Sequence, residues 1–308
     1  MGESKIIQRQ LKELECMENC DPEFLIAELM RNQDKIKTNH ELYYDEKQDN
    51  SWKEHYYCNI SFNTATSKQL LILLQSLVEK THKFKYPYYV SKDQYLYTWV
   101  DLQPNGQLIS IYSGKQKNPH QVIEDEFATI QKRFESYRKL IISKNDSPKD
   151  IKKKVQVISN HHKFNAEHVV PQSWFRAKEP MKGDLHNLFA CEPQCNSIRS
   201  NFPYYEFKLN EDKKIIRNHC GSYGIGRFEP ESGKGTVARA TLYFLLRYPK
   251  NILKRHRKAI NIPLLFRWHE QFPVTDYERH RNLAIYEIQG NRNPFIDFPD
   301  LIRKIVFV

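Results

Sequence analysis

A glutamate and a histidine stand next to each other at the start of a short apolar run. Glu167 and His168 precede Val169 and Val170, and an asparagine, Asn196, follows further along the chain. Carboxylate and amide oxygens are ligands that suit Mg²⁺, and a histidine that is neutral near pH 7 can take a proton from water. Hydrolysis of a phosphodiester needs an activated water and a cation beside the phosphoryl oxygens. These residue types therefore point to phosphodiester hydrolysis.

The elements around these residues must bring them to one place. The apolar run predicts a strand, residues 184–189 form a second short alternating strand, and residues 194–201 predict a helix. In a regular strand Glu167 and His168 would point to opposite faces, but both can reach one site at a strand end or a bulge. We expect Asn196 to join them there from the helix.

Three polar residues of the second strand have two open interpretations. Asp184, His186 and Asn187 could pin the strand pair by hydrogen bonds from side chain to backbone. They could equally orient His168 or a water bound to the metal from a second layer. Neither interpretation makes them catalytic.

The remaining pattern favours the α+β class, because helices and strands mix without a regular βαβ alternation. Residues 67–77 and 120–143 predict helices, and the capping box Thr275–Glu278 opens another that runs toward Gly290. The alternating runs YLYTWVDLQ and QLISIYSG, joined by Pro-Asn-Gly, predict a β-hairpin. The charged residues 145–154 predict a loop.

Composition indicates a folded chain with a polyanionic partner. The 308 residues are 40% hydrophobic, which excludes a disordered protein. The 48 basic and 37 acidic residues give a formal net charge of 48 − 37 = +11, which favours a polyanionic partner. No apolar run approaches the roughly 20 residues that cross a bilayer, so we predict no membrane partner. The polar N-terminus lacks the apolar centre of a signal peptide, so we expect a cytoplasmic protein unless another export route takes it.

The six cysteines are too sparse for a disulfide scaffold, and we expect most of them to be reduced. Cys191 and Cys195, with His161, His162 and His168 upstream, offer an alternative. Thiolates and imidazoles bind zinc, so the chain could be a zinc-stabilised, basic nucleic-acid-binding protein without hydrolytic activity.

Several motifs, in this order, resemble the bacterial endonuclease I family of periplasmic and extracellular non-specific nucleases. The family has a ββα-metal site, also called a His-Me finger. The motifs are NAEHVVPQSWF, GDLHNLF, NSIRSNFPY, the helix in GKGTVARATLYFLLRYP and the tail PVTDYERHRNLAIYEIQG. The resemblance implies a mixed helical domain with short antiparallel strands that carries such a site.

The resemblance also implies roles for individual residues. It makes His168 the general base and makes Glu167 and Asn196 ligands of a single Mg²⁺, a site that Mn²⁺ or Ca²⁺ can also occupy. The products would carry 5′-phosphate and 3′-hydroxyl ends. An arginine is expected on the phosphate, and Arg176 and Arg199 are the candidates nearest in sequence.

Basic residues elsewhere become candidate phosphate contacts for DNA, with RNA as a second substrate class. They are Lys152, Lys153, Lys154, Lys182 and Arg255.

We predict two parts in the chain. Residues 1–50 would be a helical extension that docks an inhibitor or another regulatory partner. Residues 51–308 would form the nuclease domain, with its ββα core at about residues 160–202.

Overall fold

Helices make up most of the fold, with three small antiparallel sheets between them. The computed structural model describes residues 7, 8, 11, 12, 14–16, 21–142, 148–208 and 214–307. The α-helices are α1 Pro22–Thr38, α2 His40–Tyr43, α3 Glu46–Tyr56, α4 Ser67–Thr81, α5 Tyr88–Val90, α6 Pro119–Ile142, α7 Pro148–His161, α8 Pro193–Arg199, α9 Lys234–Arg247, α10 Lys254–Arg257, α11 Ile262–Gln271, α12 Asp276–Gln289 and α13 Pro294–Asp297.

The strands are short, and each pairs only with antiparallel neighbours. They are β1 Leu108–Ile109, β2 Gln116–Lys117, β3 Ala166–His168, β4 Leu188–Ala190, β5 Ile216–Asn218, β6 Gly221–Gly224 and β7 Arg227–Pro230. β1 pairs with β2, β3 with β4, and β6 lies between β5 and β7. The remaining elements are a π-helix at Ser91–Val100 and 3₁₀ helices at Gln172–Trp174, Leu185–Asn187 and Pro299–Arg303. The predicted α+β class is confirmed.

The helix ends follow the local sequence signals. The side chain of Thr66 caps α4 together with Gln69, and Thr275 caps α12 together with Glu278, so each helix begins with a capping box. α12 ends at Gly290, which has φ 89°, a value that glycine adopts without a steric penalty. The prediction for these two helices is confirmed.

The predicted hairpin at residues 95–114 is wrong, because Leu108–Ile109 of the second run pairs with Gln116–Lys117 and not with the first run. The run YLYTWV belongs to the π-helix Ser91–Val100, which buries Leu96, Tyr97 and Val100. Lys92, which is also buried, pairs with Asp93 and with Glu126 of α6, and this charge cluster ties the π-helix to α6. Only the turn at Gly106, with φ 72°, has the positive φ that the Asn-Gly pair predicts.

The predicted charged loop at residues 145–154 is also wrong where the structure describes it. Helix α7 begins at Pro148, which fits the first turn because proline lacks the N–H that would remain unbonded there. Residues 143–147 lie outside the described part of the chain.

Helix α9 crosses the centre of the molecule. Almost every one of its side chains is buried, and it packs against α11, α4 and the 3₁₀ helix Leu185–Asn187. A helix that is buried on all sides is surrounded by other elements. α9 therefore holds in place the elements that carry the site. The described residues contain no helix of the length and apolarity that a bilayer crossing requires.

The first described helices pack onto the rest of the chain. α1 buries Leu25, Leu29 and Ile36 against the π-helix and α6. Asp49 of α3 lies 2.6 Å from the buried guanidinium of Arg292. The division of the chain at residue 50 stays a prediction.

Candidate active site

Strand β3, strand β4 and helix α8 form one unit. β3 pairs with β4 in the register Glu167 to Phe189 and His168 to Leu188. The side-chain Nδ2 of Asn196 on α8 donates to the carbonyl of Ala166, at 2.8 Å, which fixes the helix against the first residue of β3. The expected order of strand, loop, strand and helix is therefore present, although the second strand is shorter than expected because residues 185–187 form a 3₁₀ helix.

A cavity of about 190 Å³ opens between these elements. β3 ends at His168, so side chains no longer alternate between the two faces of a regular strand there. The carboxylate of Glu167 and the imidazole of His168 therefore both reach the cavity. The polar residues that line it include Glu167, His168, Gln172, Asn196 and Arg199. The structure thus brings together the three residues expected at the centre of the site.

The ring of His168 has a defined tautomer. Its Nε2 lies 2.8 Å from the carbonyl oxygen of Lys182, and because a carbonyl only accepts, Nε2 carries the proton. Nδ1 therefore holds the lone pair, and Nε2 of Gln172 donates to it from 3.1 Å. Burial lowers the pKa of His168 to about 3, against the opposing effect of the Lys182 carbonyl. The imidazole is neutral, with its accepting nitrogen on the side of the cavity-lining Gln172.

Glu167 is buried but has few fixed partners. Tyr112 donates its hydroxyl to Oε1 at 2.8 Å, and Nη1 of Arg199 lies 3.3 Å from the same oxygen. Burial raises the pKa of Glu167, while Arg199 and Tyr112 act in the opposite direction. The side chains of Tyr112 and Arg199 hold Oε1, and the backbone N–H of His168 and the charge of Lys163 also favour the carboxylate.

The amide of Asn196 presents its oxygen away from the strand. Because Nδ2 bonds to Ala166, Oδ1 points in another direction, and among the described residues it accepts no hydrogen bond. Asn196 also lines the cavity. The site thus contains a carboxylate and an amide oxygen within one cavity.

The two arginine candidates lie in different places. Arg199 is buried, lines the cavity and donates through Nη2 to the carbonyl of Val169 at 2.5 Å. Arg176 is exposed on the loop after Trp174 and does not line the cavity. The geometry favours Arg199, whose charge already faces Glu167.

Asp184, His186 and Asn187 are engaged within the fold. Asp184 accepts from Tyr243 at 2.8 Å, and Asn187 bonds both the N–H and the carbonyl of Val170. The ring of His186 packs against that of Tyr243 at an angle of 45°, and its Nε2 lies 3.3 Å from the carbonyl oxygen of Asn291. All three contact the fold, and none lines the cavity.

The candidate phosphate contacts are scattered. Lys153 and Lys154 are exposed on α7, whereas the side chain of Lys152 lies outside the described part of the structure. Nζ of Lys182 lies 5.0 Å from the centre of the Tyr88 ring. Arg255 is exposed on α10, which approaches the site because His256 stacks on Trp174. Nucleic-acid binding by these residues stays a prediction.

The cysteine predictions need correction. Cys195 forms a disulfide with Cys220, because α8 lies against the turn between β5 and β6, so these two residues are not reduced thiols. Cys191 is a buried free thiol whose Sγ lies 3.5 Å from the carbonyl of Glu192. The pair Cys191 and Cys195 therefore does not form the predicted zinc site. Cys195 lies instead beside His219 and Cys220.

The sequence analysis missed two residues that contact the expected site. Tyr112 lies 55 positions before Glu167, so no local pattern connects them. Gln172 lies four positions after His168. Its position directly after Pro171 was the sequence signal that could have identified it as a contact of the site.

Comparison with known proteins bears on the same region. The family model described as Endonuclease I matches residues 32–300, which is most of the chain. The chain belongs to the endonuclease I family. The match includes β3, β4 and α8, so the candidate site lies within the part shared with the family.

Named relatives share part of their length with the chain. An extracellular deoxyribonuclease of Aeromonas hydrophila is 31% identical over 119 residues, covering 38% of this chain and 50% of the relative. An extracellular ribonuclease of Bacillus subtilis (strain 168) is 33% identical over 158 residues, covering 46% and 54%. Endonuclease-1 of Buchnera aphidicola subsp. Acyrthosiphon pisum is 29% identical over 126 residues, covering 38% and 45%. The chain spans about half the length of these relatives.

The prediction of a cytoplasmic protein is wrong. Relatives of this chain are named extracellular or periplasmic nucleases, which points to export. These names contradict the expectation, which was based on the polar N-terminus.

Proposed function

We propose that this protein is a metal-dependent endonuclease that hydrolyses phosphodiester bonds in DNA and RNA with little sequence preference. The observation that carries the proposal is the single cavity lined by Glu167, His168, Asn196 and Arg199. The names of the relatives, which include deoxyribonucleases and ribonucleases, support both substrate classes. The ββα arrangement of β3, β4 and α8 supports a His-Me finger site.

The donor set fits a magnesium ion. Glu167 and Asn196 supply one carboxylate and one amide, both hard oxygen ligands, on one cavity. Magnesium keeps several of its waters, and the cavity of about 190 Å³ has room for an ion with part of its water shell. A bound Mg²⁺ would neutralise charge that develops on the phosphoryl group and on the departing 3′ oxygen. Mn²⁺ and Ca²⁺ suit the same oxygen ligands.

Residues of the chain supply the proton acceptor and the positive charge that the reaction also requires. His168 accepts the proton of the attacking water on Nδ1, where that water takes the place of the Gln172 amide, and the Lys182 carbonyl, which accepts from Nε2, stabilises the imidazolium that forms. Arg199 places a buried positive charge beside the phosphate. Attack on phosphorus with loss of the 3′ oxygen gives 5′-phosphate and 3′-hydroxyl ends.

Replacement of the base tests the proposal. We expect His168→Ala to lower kcat for plasmid cleavage by about 10²–10⁴-fold, the usual contribution of a general base. Binding of DNA, measured by fluorescence anisotropy with Ca²⁺ in place of Mg²⁺, should stay at the wild-type level. His120→Ala is the matched control, because His120 is an exposed histidine on α6. A purified His168→Ala protein that cuts at the wild-type rate would show that another group is the base.

Metal add-back separates the nuclease from a non-catalytic nucleic-acid-binding protein. We expect EDTA to abolish nicking of plasmid and degradation of RNA, and added Mg²⁺ to restore both. Intact substrates at saturating Mg²⁺, with DNA binding retained, would favour the binding protein.

A further inference from the structure

Four potential zinc ligands converge on the disulfide Cys195–Cys220, outside the cavity. Nε2 of His219 lies 3.5 Å from Sγ of Cys220 and 3.9 Å from Sγ of Cys195. Oε2 of Glu192 lies 3.7 Å from Sγ of Cys195 and 4.0 Å from Nε2 of His219. The two sulfurs and the imidazole nitrogen thus lie within 4.8 Å of one another, and the carboxylate oxygen of Glu192 lies beside them, next to Cys195 and His219.

These distances are close to those of a tetrahedral zinc site. Bonds of about 2.3 Å to sulfur and about 2.0–2.2 Å to nitrogen and oxygen place neighbouring ligand atoms roughly 3.3–3.8 Å apart. The four distances that involve His219 or Glu192 already lie at or just beyond this range. The two sulfurs must separate, which happens when the disulfide is reduced, and the carboxylate of Glu192 must move toward Cys220 to complete the set.

The surroundings would allow an ion to enter and stay. Cys195 and Cys220 are fully buried, whereas 44% of the His219 side chain is exposed. The cluster is therefore closed toward the core and open at His219. The ligands come from the N-terminal end of α8 and from the turn between β5 and β6, so an ion here would join the same two elements as the disulfide.

We propose that reduction of the Cys195–Cys220 disulfide creates a structural zinc site formed by Glu192, Cys195, His219 and Cys220. A dithiol reductant gives two electrons to the disulfide and leaves as its own disulfide, while two protons pass to the cysteine sulfurs. Zn²⁺ then displaces these two protons, which go to the buffer, and binds both thiolates, Nε2 of His219 and the carboxylate of Glu192. Either chemistry holds α8, which carries Asn196, against the β5–β7 sheet.

The experiment measures zinc in the full chain without nucleic acid. Cys16, Cys20 and Cys58 are first replaced by serine so that they cannot bind metal. The protein is reduced with a dithiol under argon, mixed with one equivalent of Zn²⁺, desalted and analysed for metal. We expect one zinc per chain after reduction and none at this site before it. Co²⁺ in place of Zn²⁺ should give thiolate-to-cobalt charge-transfer absorption.

Variants assign the ligands. His219→Ala should weaken zinc binding by at least about tenfold, the smallest usual effect even of a group that only orients a ligand. Cys195→Ser with Cys220→Ser should abolish it. Cys191→Ser is the matched control, because Cys191 is a buried free thiol four positions before Cys195, and it should bind zinc as before.

The outcome is decisive in both directions. Absence of zinc from the reduced protein would overturn the proposal, and so would wild-type uptake by the His219→Ala variant. Because His219 is partly exposed, that variant is expected to fold, and circular dichroism would verify it. No step depends on cleavage, so failure here would leave the proposed nuclease function untouched.

Discussion

Two acid–histidine pairs lie within the same strand unit and have opposite surroundings. Glu167 and His168 end on the cavity, and Glu167 accepts a side-chain hydrogen bond from Tyr112. Asp184 accepts from the backbone N–H of His186 and from the side chains of Tyr243, Tyr248 and Gln289. The second pair is enclosed, and the first is open on one side.

The difference appears in the pKa shifts. Burial alone would raise the pKa of both carboxyl groups. The effect of burial prevails at Glu167, where the pKa is raised. At Asp184 the neighbouring histidines and the hydrogen bonds from Gln289 and Tyr243 outweigh burial, and the pKa is lowered. A buried carboxylate that already has several hydrogen-bond donors stabilises the folded structure. A buried carboxylate with fewer donors can accept a ligand such as a cation.

The strongest test of this comparison removes the charge of the open carboxylate. We expect Glu167→Gln to lower the rate of DNA cleavage at least about 10²-fold, because charge stabilisation by a bound metal amounts to several kcal/mol. The free energy of unfolding should also fall, because the buried Arg199 loses its counterion, but by less than for Asp184→Asn, so cleavage is compared per folded molecule. Urea denaturation and plasmid nicking measure the two effects. Glu206→Gln, at a half-exposed glutamate paired with Arg267 outside the cavity, is the control, and equal cleavage by both variants would contradict the role of Glu167.

The reverse result is expected at the enclosed carboxylate. Asp184→Asn should lower the free energy of unfolding by about 3 kcal/mol, because it weakens several hydrogen bonds to a buried charge. Cleavage per folded molecule should remain at the wild-type level. Asp34→Asn, at an exposed aspartate, controls for loss of charge alone. A variant with normal stability and no cleavage would move Asp184 into the active site.

Local signals predicted much of the fold. The caps of α4 and α12 and the strand unit at residues 166–199 follow from neighbouring residues, so they were predictable. The π-helix was not, because YLYTWV alternates as a strand does and the burial of Lys92 against Glu126 of α6 depends on a distant segment. Tyr112 and Cys220 reach their partners for the same reason, through tertiary contacts that no nearby pattern encodes.

A smaller effect concerns pH and His186. Burial lowers the pKa of His186 to about 4, below the value of about 6.5 expected in the unfolded chain. Below pH 6.5 the unfolded state therefore binds the proton that the folded state excludes, and stability falls as the pH falls. At pH 5 the loss from this residue should be about 2 kcal/mol relative to pH 8.

Urea denaturation of the wild type and of His186→Asn across this pH range measures that contribution. We expect the variant to have a shallower pH dependence, whatever its stability at pH 8. An equally steep dependence in both proteins would show that His186 takes up its proton without unfolding.

The smallest effect concerns the hydroxyl group that holds Glu167. Tyr112→Phe removes one hydrogen bond, worth about 1 kcal/mol, and should raise the Mg²⁺ concentration for half-maximal cleavage about fivefold. Tyr204→Phe is the comparison, since the Tyr204 hydroxyl contacts Tyr112, Val169 and Arg199 but does not bond Glu167 directly. Equal magnesium requirements in the two variants would show that Tyr112 does not position Glu167.

The buried guanidinium of Arg292 determines how far the chain can be shortened. It is paired with Asp49 at 2.6 Å and with Asp297 at 2.7 Å, so it links a residue near one end of the sequence to a residue near the other. A truncated protein that begins after residue 50 would keep the arginine and lose one of its two counterions inside the core. Such a truncation would report on folding before it reported on regulation, and even a cut before Pro22 would remove the buried side chains of Ile7 and Leu14 from the core.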